Sequence, residues 1–335
     1  MKPDGPRPHG DASHSGTGAR MTTVSIIIVN YFTRDYVRKC VRSIADTIGP
    51  IEHEILVVDN SHTDGVGEVV DPSTTVLTPS RNLGFGAACN LAAERASGRH
   101  LLLINPDVVV LPGAIQGALA CAGRHPGAGI VGARTVQPDG SLNPGSCWRM
   151  MTTWSLLCRV AALDRLFHNN PLLNREGYGG WSRGDERPVE VVTGCFLLIG
   201  RDLWDHLGGF DERFFVYGED ADLCLRAAQL GYHPRLTPDA TVIHTGGSSE
   251  PVKAGKMSRL LTAKVQLVRK HAPPRAAARQ ERLLLAWPYS RYLASRTARA
   301  LGVTRAQAAQ ACWREVWGSV RHTRNRSIAA GAGSS

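Results

Sequence analysis

Alternating strand and helix patterns in residues 24–111 constrain the fold of this chain more than any other feature of its sequence. Residues 24–29 are almost all β-branched, which is typical of a strand buried on both faces of a parallel sheet. A helical pattern follows, and two more buried strands are predicted at residues 54–58 and 99–104, with a helix between them. This alternation predicts an α/β fold with a doubly wound, mostly parallel sheet flanked by helices.

Polar residues stand just beyond the carboxyl ends of three predicted strands: Asn30, Asp59 and Asp107. Ligands bind at that edge of an open α/β sheet, where loops from several strands converge. The spacing alone therefore predicts a shared ligand cleft. The segment 81–86 (RNLGFG) precedes a predicted helix, where glycines permit close backbone approach and a helix N-terminus favours an anion.

The charge of the 335-residue chain is unevenly distributed. Residues 1–250 hold 22 Lys and Arg against 27 Asp and Glu, whereas residues 251–335 hold 17 against two. In the basic region, Leu and Trp are interleaved with arginine in a helical pattern, as in helices at a membrane interface. The pattern fits equally well a helical appendage that packs on its own domain or on a partner. A nucleic-acid-binding module would rest on charge alone, because no motif of that class is present.

The polar, Gly- and Ser-rich residues 1–20 are expected to be a disordered tail. We find neither a secretory signal nor an apolar run long enough to cross a membrane. The eight cysteines form no CxxC pair, which favours reduced thiols in a cytosolic protein. The expected location is cytoplasmic, at the inner face of the cell membrane.

Five motifs, in order and at compatible spacing, resemble those of glycosyltransferase family 2. They are residues 24–31 (VSIIIVNY), 57–60 (VVDN), 81–86 (RNLGFG), 105–107 (NPD) and 208–226 (GGFDERFFVYGEDADLCLR). The match is most similar to the rhamnosyltransferase-type branch of bacterial cell-surface polysaccharide synthesis. It implies a GT-A fold at residues 21–250, with a nucleotide-sugar half (21–134) and an acceptor half (135–250). Residues 251–335 would form a basic amphipathic helical extension.

The resemblance also implies a divalent-metal site for the donor diphosphate, because such a cation offsets the charge that develops on the leaving group. Asp107 occupies the acidic position of the family's metal motif, and its oxygens suit a hard cation such as Mg²⁺ or Mn²⁺. The first acidic position of that motif is Asn105 here, which departs from a two-carboxylate site. His244 is the candidate second ligand, although a histidine at a strand end also occurs without metal.

On the nucleotide side, the resemblance places Asn30, Asp59, Arg81 and Gly84, together with Asn105 and Asp107. Asp59 can accept a hydrogen bond from the N3–H of uracil or thymine, and it can also initiate the turn that follows it. The segment between about residues 135 and 190 contains three tryptophans. It could cover the cleft as a mobile loop or simply connect the two halves.

The acidic cluster Glu219, Asp220 and Asp222 begins a predicted helix. By motif position, Asp220 is the general base that removes the acceptor's hydroxyl proton. Glu219 is expected to bind acceptor hydroxyls or to orient the base, and Asp222 to pair with Arg226 four residues on. Three further residues resemble acceptor-side positions, with core packing as the alternative: Thr193, Gly194 and Trp204.

These features together imply an inverting, metal-dependent glycosyltransferase. The expected donor is dTDP-L-rhamnose and the acceptor a lipid-linked or polysaccharide glycan of the cell surface, with peripheral membrane association. The alternative donors are UDP-galactofuranose, UDP-GlcNAc and UDP-glucose. A sugar-1-phosphate nucleotidyltransferase is a remote alternative, since residues 30–33 (NYFT) lack that class's glycine-rich basic loop. No nucleic-acid partner is expected, and a homo-oligomer is compatible with the sequence.

Overall fold

A nine-stranded mixed sheet forms the centre of the molecule in the computed structural model, which describes residues 23–246, 253–304 and 306–332. The tail predicted at residues 1–20 lies outside the described residues. The strands are β1 (Val24–Asn30), β2 (His53–Asp59), β3 (Thr75–Leu77), β4 (His100–Ile104), β5 (Val108–Val110), β6 (Ile130–Val136), β7 (Cys147–Trp148), β8 (Arg187–Pro188), β9 (Val191–Val192), β10 (Phe196–Gly200) and β11 (Arg235–His244).

Helices flank the sheet and form the C-terminal region. They are α1 (Arg34–Thr47), α2 (Phe85–Arg95), α3 (Ala114–Arg124), α4 (Thr153–Val160), α5 (Leu163–Leu166), α6 (Arg201–Leu207), α7 (Glu219–Gln229), α8 (Lys253–His271), α9 (Pro274–Ala300) and α10 (Ala306–Ala332). No helix in the described parts of the chain is long and apolar enough to cross a membrane.

The sheet order is β3-β2-β1-β4-β10-β6-β11-β5, with β8 paired to β11; the short strands β7 and β9 pair separately. Strands β3, β2, β1 and β4 are all parallel, whereas each antiparallel pair within this nine-stranded sheet involves β10 or β11. The register sets Asn30 beside Asp59 and Ile28 beside Ile104, so these strands end at one edge. The predicted α/β class is confirmed.

Two apolar clusters cover the two faces of the sheet. Side chains of α1 and α3, including Ile44 and Ile115, pack on one face, while α2, α6 and α7 supply residues such as Ala88 and Leu223 to the other. The first strand is buried along its full length, as its β-branched run predicts. Burial on both faces fixes the strand ends that meet at the cleft.

A third apolar cluster joins the C-terminal helices to Met151 and the start of α4. Leu261 of α8, Leu284 of α9 and Val316 of α10 are buried together with Met151 and with Leu156 of α4. The basic region therefore packs on the chain's own domain through an apolar face. This contact places α8 beside a cavity that residues at the ends of β1, β2 and β4 also line.

Candidate active site

A cleft of about 710 Å³ lies where the strand-end residues predict a ligand site. Tyr31, Asn60 and Asn105, which directly follow β1, β2 and β4, line one side of it. The segment from Phe215 to Asp220 and one face of α8 also line it, together with residues between positions 145 and 195. The cavity is therefore shared by the parallel half of the sheet, the acidic cluster and the C-terminal region.

Asp107 and His244 come together at this cleft because β5 and β11 are antiparallel neighbours, with His244 opposite Val108. The Nε2 atom of His244 is 3.4 Å from Oδ1 of Asp107, and the Asp107 carboxylate is buried. Burial lowers the pKa of His244, but hydrogen bonding to Asp107 and Cys195 outweighs it and raises that pKa to about 10. The two side chains are thus paired across the sheet edge by a proton on Nε2 of His244, which the histidine would have to release before that nitrogen could bind a cation.

The side chains of Asp107 and His244 are of the types that can bind a divalent cation together with a diphosphate. Carboxylate and imidazole are both ligands of Mn²⁺, and a cation bound to substrate phosphates needs only one or two protein carboxylates. Asn105 also lines the cleft and offers an amide oxygen where the family motif has an acid. No group of three metal-ligating side chains occurs among the described residues, so substrate oxygens would complete the coordination.

Asn30 and Asp59 join the ends of β1 and β2 to each other. The Nδ2 atom of Asn30 donates to Oδ1 of Asp59 at 2.9 Å, and both side chains are buried. The same oxygen accepts the backbone N–H of Ser61 at 3.1 Å, so Asp59 does initiate the predicted turn. Neither residue is among those that line the cleft, whereas their neighbours Tyr31 and Asn60 are. The proposed base-binding role of Asp59 stays a prediction.

Gly84 is needed for a contact within the chain. Its φ is +81°, and a Cβ added there would lie 2.2 Å from the carbonyl oxygen of Phe215. That carbonyl accepts the backbone N–H of Phe85 at 2.9 Å. The sequence predicts close approach to a ligand, but the closest approach is to the loop before α7, which this contact fixes. Gly84 also lines the cleft, whereas Arg81 is exposed and lies outside its lining.

Asp220 lines the cleft from the first turn of α7. The Gly194 backbone N–H donates to its Oδ2 at 3.0 Å, and the Ala221 N–H donates to its Oδ1 at 2.7 Å. Burial raises the pKa of Asp220, and these two hydrogen bonds offset part of that rise. The carboxylate is therefore oriented by backbone donors and is more basic than an ordinary aspartate. Both properties suit a general base.

Glu219 is more deeply buried than its neighbour. Its Oε2 atom has no hydrogen-bond partner among the described residues, although Glu219 lines the cleft. Burial, and then the charge of Asp220, raise the pKa of Glu219 well above its usual value. A carboxyl group that is protonated at neutral pH can donate a hydrogen bond to a substrate oxygen. Burial and the neighbouring charge thus favour the protonated form of Glu219.

Asp222 is fully buried and lies outside the cleft lining. Its carboxylate contacts Nε of Arg226 at 2.7 Å, as predicted, and also Nε2 of His271 at 2.7 Å and the Lys270 ammonium. Burial raises the pKa of Asp222, but hydrogen bonds from His271, Lys270 and Arg226 outweigh it, and the net pKa is lowered. Asp222 therefore ties α7 to the end of α8.

The predicted acceptor-side residues occupy different environments. Thr193 and Gly194 line the cleft, and the Thr193 hydroxyl donates to the Ser146 carbonyl at 3.3 Å. Trp204, in contrast, is buried in the core, where its ring packs edge-on against Phe210 with centroids 5.2 Å apart. The structure therefore corrects the expectation for Trp204, because the apolar side of α6 faces the sheet and not the cavity.

One face of α8 supplies cleft residues that the motif analysis misses. They lie three or four positions apart, as neighbours on a helix do: Lys256, Arg259, Leu260, Ala263, Lys264 and Leu267. Nζ of Lys264 is 2.7 Å from Oε1 of Glu176, which Arg159 also contacts at 3.0 Å. The helical spacing of these residues is visible in the sequence. Where this face of α8 packs is not, because its position depends on the contact between Lys264 and Glu176, which are 88 residues apart.

The middle segment contributes to the cleft as well. Trp148 lines it, and Lys264 lies 5.0 Å from the centre of the Trp148 ring. Trp181 is buried in the core and Trp154 is exposed. The segment thus contributes to the wall of the cavity and packs on the C-terminal helices.

Comparison with known proteins identifies the family. The family model described as Glycosyl transferase family 2 matches residues 25–178. The N-acetylglucosaminyl-diphospho-decaprenol L-rhamnosyltransferase of Mycobacterium tuberculosis (strain ATCC 25618 / H37Rv) is 32% identical over 212 residues, which cover 57% of this chain and 66% of that protein. The O-antigen biosynthesis protein RfbC of Myxococcus xanthus is 29% identical over 236 residues, 69% of this chain and 18% of RfbC. The chain therefore spans less than two thirds of the length of these relatives.

A solved structure shows the same fold. The mannosyltransferase from Pyrobaculum calidifontis, in complex with GDP-Man and Mn²⁺, matches 91% of this chain and 86% of its own, with a TM-score of 0.56 and 19% identity. The sheet order, the five motifs and these similarities agree. The chain contains a glycosyltransferase family 2 domain, matched at residues 25–178, and has the GT-A fold.

Proposed function

We propose that this protein is an inverting glycosyltransferase in which Asp220 is the general base. The observation that carries the proposal is that Asp220, held by the Gly194 N–H, lines the same cleft as the Asp107–His244 pair. In such a transfer, an acceptor hydroxyl attacks the anomeric carbon from the face opposite the leaving nucleoside diphosphate. Asp220 takes the hydroxyl proton as the new glycosidic bond forms and the bond to the diphosphate breaks.

A divalent cation, Mg²⁺ or Mn²⁺, is part of the proposal. Asp107 and His244 would hold it, with the Asn105 amide nearby, and when bound it offsets the charge that develops on the leaving diphosphate. Their contact at 3.4 Å supports a joint role. The role of Asn105 is proposed on its position in the cleft and in the family motif.

The remaining cleft residues divide between donor and acceptor. On the acceptor side, Glu219, whose raised pKa favours the protonated form, would bind acceptor hydroxyls, and Thr193 and Gly194 would form the wall beside Asp220. On the donor side, Gly84 lines the cavity. The other proposed nucleotide contacts lie outside the cleft lining and would have to bind the base at its margin: Asn30, Asp59 and Arg81.

The proposed donor is dTDP-L-rhamnose, and the proposed acceptor is a lipid-linked glycan at the inner face of the cell membrane. The similarity to the mycobacterial rhamnosyltransferase, whose name specifies a decaprenol-linked acceptor, supports both choices. The basic C-terminal helices are compatible with a membrane surface. UDP-galactofuranose, UDP-GlcNAc and UDP-glucose are the alternative donors.

A donor panel tests the proposed reaction. The release of nucleoside diphosphate from dTDP-L-rhamnose and the three UDP-sugars is measured with Mg²⁺ or Mn²⁺, with and without an N-acetylglucosaminyl-diphospho-polyprenol acceptor. We expect acceptor-dependent turnover of dTDP-L-rhamnose that EDTA abolishes and added cation restores. Turnover with a UDP-sugar alone would contradict the rhamnosyl donor, and full activity after rigorous chelation would contradict the role of the cation.

The variant Asp107→Asn tests whether Asp107 binds the cation. Removing the buried carboxylate should lower turnover and raise the cation concentration needed for half-maximal activity. Asp202→Asn, the same substitution at an exposed position in α6, is the control and should behave as wild type. An unchanged cation requirement in Asp107→Asn would exclude this residue as a ligand.

A further inference from the structure

Glu176 lies in the wall of the cleft, and the contacts of its two carboxylate oxygens differ. Nζ of Lys264 contacts Oε1 at 2.7 Å, and Nη1 of Arg159 contacts the same oxygen at 3.0 Å. Oε2 has no hydrogen-bond partner among the described residues, although only 7% of Glu176 is exposed. The two cations thus share one oxygen, and the other can accept a hydrogen bond from a ligand.

The charge state of Glu176 defines what such a ligand must supply. Burial raises the pKa of Glu176, but the charges of Lys264 and Arg159 outweigh burial, and the net pKa is lowered. The carboxylate is therefore ionised at neutral pH and can accept hydrogen bonds but not donate them. Because a buried acceptor without a partner costs free energy, a ligand that brings a donor to Oε2 gains affinity.

A hydroxyl group fits this requirement better than a cation or a phosphate. Lys264 and Arg159 already offset the charge of Glu176, so a further cation gains little, and an ionised phosphate oxygen has no hydrogen to donate. A hydroxyl donates one hydrogen bond and also accepts. The Lys264 ammonium has three N–H donors, so one of two adjacent hydroxyls can donate to Oε2 while the other accepts from Nζ. Sugars carry such pairs of hydroxyls.

Trp148 adds an aromatic surface at the same place in the cleft. Nζ of Lys264 lies 5.0 Å from the centre of the Trp148 ring, and the N–H of Arg149, the next residue, donates to the Glu176 carbonyl at 2.9 Å. Trp148 also lines the cleft. Ligand sites combine aromatic walls with a few placed polar groups, and the C–H face of a sugar ring suits such a wall.

The position of this group in the cleft indicates the acceptor sugar and not the donor. Burial raises the pKa of Asp220, and the charge of Lys264 is among the influences that oppose that rise. The Cβ atom of Ala263 lies 3.4 Å from the place that a Cβ on Gly218 would take, so α8 meets the segment that leads to Asp220. The proposed cation site for the donor diphosphate lies instead where β5 meets β11.

We propose that Glu176, Lys264 and Trp148 form a subsite for the acceptor's sugar, in which Oε2 of Glu176 accepts a hydrogen bond from a sugar hydroxyl. This inference rests on the proposed function, because it assumes a glycan acceptor. The subsite would fix how the sugar is turned toward Asp220. Glu176 would thereby help to determine which hydroxyl is glycosylated.

Acceptor analogues that each lack one sugar hydroxyl test the subsite without any turnover. N-acetylglucosaminyl-diphospho-farnesol and its three monodeoxy sugar forms are titrated by calorimetry into the full chain saturated with dTDP and Mg²⁺. We expect one monodeoxy form to bind wild type about tenfold more weakly than the parent, because a hydrogen bond to a charged group is lost.

The variant Glu176→Gln assigns that loss to one residue. Glutamine keeps the size of the side chain but lacks the second acceptor oxygen, so the parent should bind about tenfold more weakly. The monodeoxy form that binds wild type poorly should lose nothing further in Glu176→Gln, because both changes remove the same contact. A purely structural role would weaken the parent and all three analogues alike.

Two further variants complete the experiment. Glu176→Asp keeps a negative charge for both cations but withdraws the carboxylate by one methylene, and it answers the same question if urea unfolding shows that Glu176→Gln is not folded. Glu281→Gln is the matched control, since Glu281 pairs with Arg269 at 2.6 Å outside the cleft lining. The control should bind the parent and the analogues as wild type does.

Three results would overturn the subsite. They are wild-type affinity for the parent in both Glu176 variants, an equal loss for the parent and every analogue, and no binding of the parent by wild type that has bound dTDP. Weaker binding of the donor with unchanged binding of the acceptor would also overturn it, because Glu176 would then contact the donor sugar. Failure to bind dTDP, or to turn over any donor of the panel, would count against the proposed function instead.

Discussion

The two sides of the cleft are built differently. On the side formed by the parallel strands, the ends of β1, β2 and β4 place Tyr31, Asn60 and Asn105, and buried apolar residues fix each strand. On the acceptor side, single contacts between distant segments place the polar groups. Gly194 orients Asp220 from 26 residues away, and Lys264 meets Glu176 across 88 residues.

This difference indicates which part of the site should tolerate substitutions and which part should not. The strand-end residues are held by a large apolar core that does not depend on the cleft. The acceptor side depends on a few buried polar pairs, each of which places one helix. Substitutions in those pairs should therefore move α7 or α8 and reduce activity, even where the altered side chain never meets the substrate.

The largest expected loss of stability comes from Lys264→Met. It removes one of the two cations that contact the buried Glu176 and leaves Arg159 as the other. Breaking a buried ion pair costs about 3–5 kcal/mol. Urea unfolding measures the loss. Replacing both partners, in K264M/E176M, should recover part of it, because the buried carboxylate that lost one of its two cations is then absent, while Arg159 keeps its contact with Asp164. A cost for K264M below about 1 kcal/mol, the level of a surface pair, would show that this contact does not hold α8.

Gly84→Ala should have the next largest effect. Its backbone lies in a region open essentially to glycine alone, which costs on the order of 1–3 kcal/mol for alanine, and the new Cβ would also overlap the Phe215 carbonyl. Gly113→Ala is the control, since Gly113 also has a positive φ but nothing within 4 Å of its Cβ position.

Thermal melting of the two glycine variants separates strain from overlap. Gly113→Ala should lose only the cost of a left-handed alanine, about 1–2 kcal/mol. Gly84→Ala should lose more and should also lose activity, because the segment that leads to Asp220 is displaced. Equal losses in both variants would mean that the Phe215 contact is unimportant.

The contrast between local patterns and contacts across distant segments also explains what the sequence could predict. Buried strand runs, the polar residues that follow them and the 3–4 spacing of α8 are local patterns, so the fold class and the position of the cleft are predictable. The Asp222–Arg226 pair is local too. Trp204 is misassigned because sequence does not show which side of α6 faces the sheet, and the partner of Gly84 is a backbone atom 131 residues away that no local pattern specifies.

Asp222→Asn should have a smaller, pH-dependent effect. Its carboxylate is bound by Arg226, Lys270 and His271, which together hold its pKa below the usual value despite burial. A lowered folded-state pKa stabilises the protein above the ordinary aspartate pKa of about 4, and the contribution is lost as pH falls through the folded value. Weakening these charged hydrogen bonds should cost about 1–3 kcal/mol at neutral pH.

Melting curves between pH 7 and pH 3 measure that dependence. The stability difference between wild type and Asp222→Asn should be largest at neutral pH and should shrink below the usual aspartate pKa. Asp202→Asn, at an exposed position, should show little difference at any pH. A gap between wild type and Asp222→Asn that stays constant over the whole range would contradict an ionised, cation-bound Asp222.

Turnover by Asp220→Asn tests the central claim most directly, with binding of the donor nucleotide measured on the same preparation. The amide keeps the shape of the side chain and can still accept the Gly194 hydrogen bond, but it cannot take a proton. Our account predicts a kcat about 10²–10⁴-fold lower than wild type, the usual contribution of a general base, with nucleotide affinity nearly unchanged. Near-normal turnover in this variant would contradict Asp220 as the base.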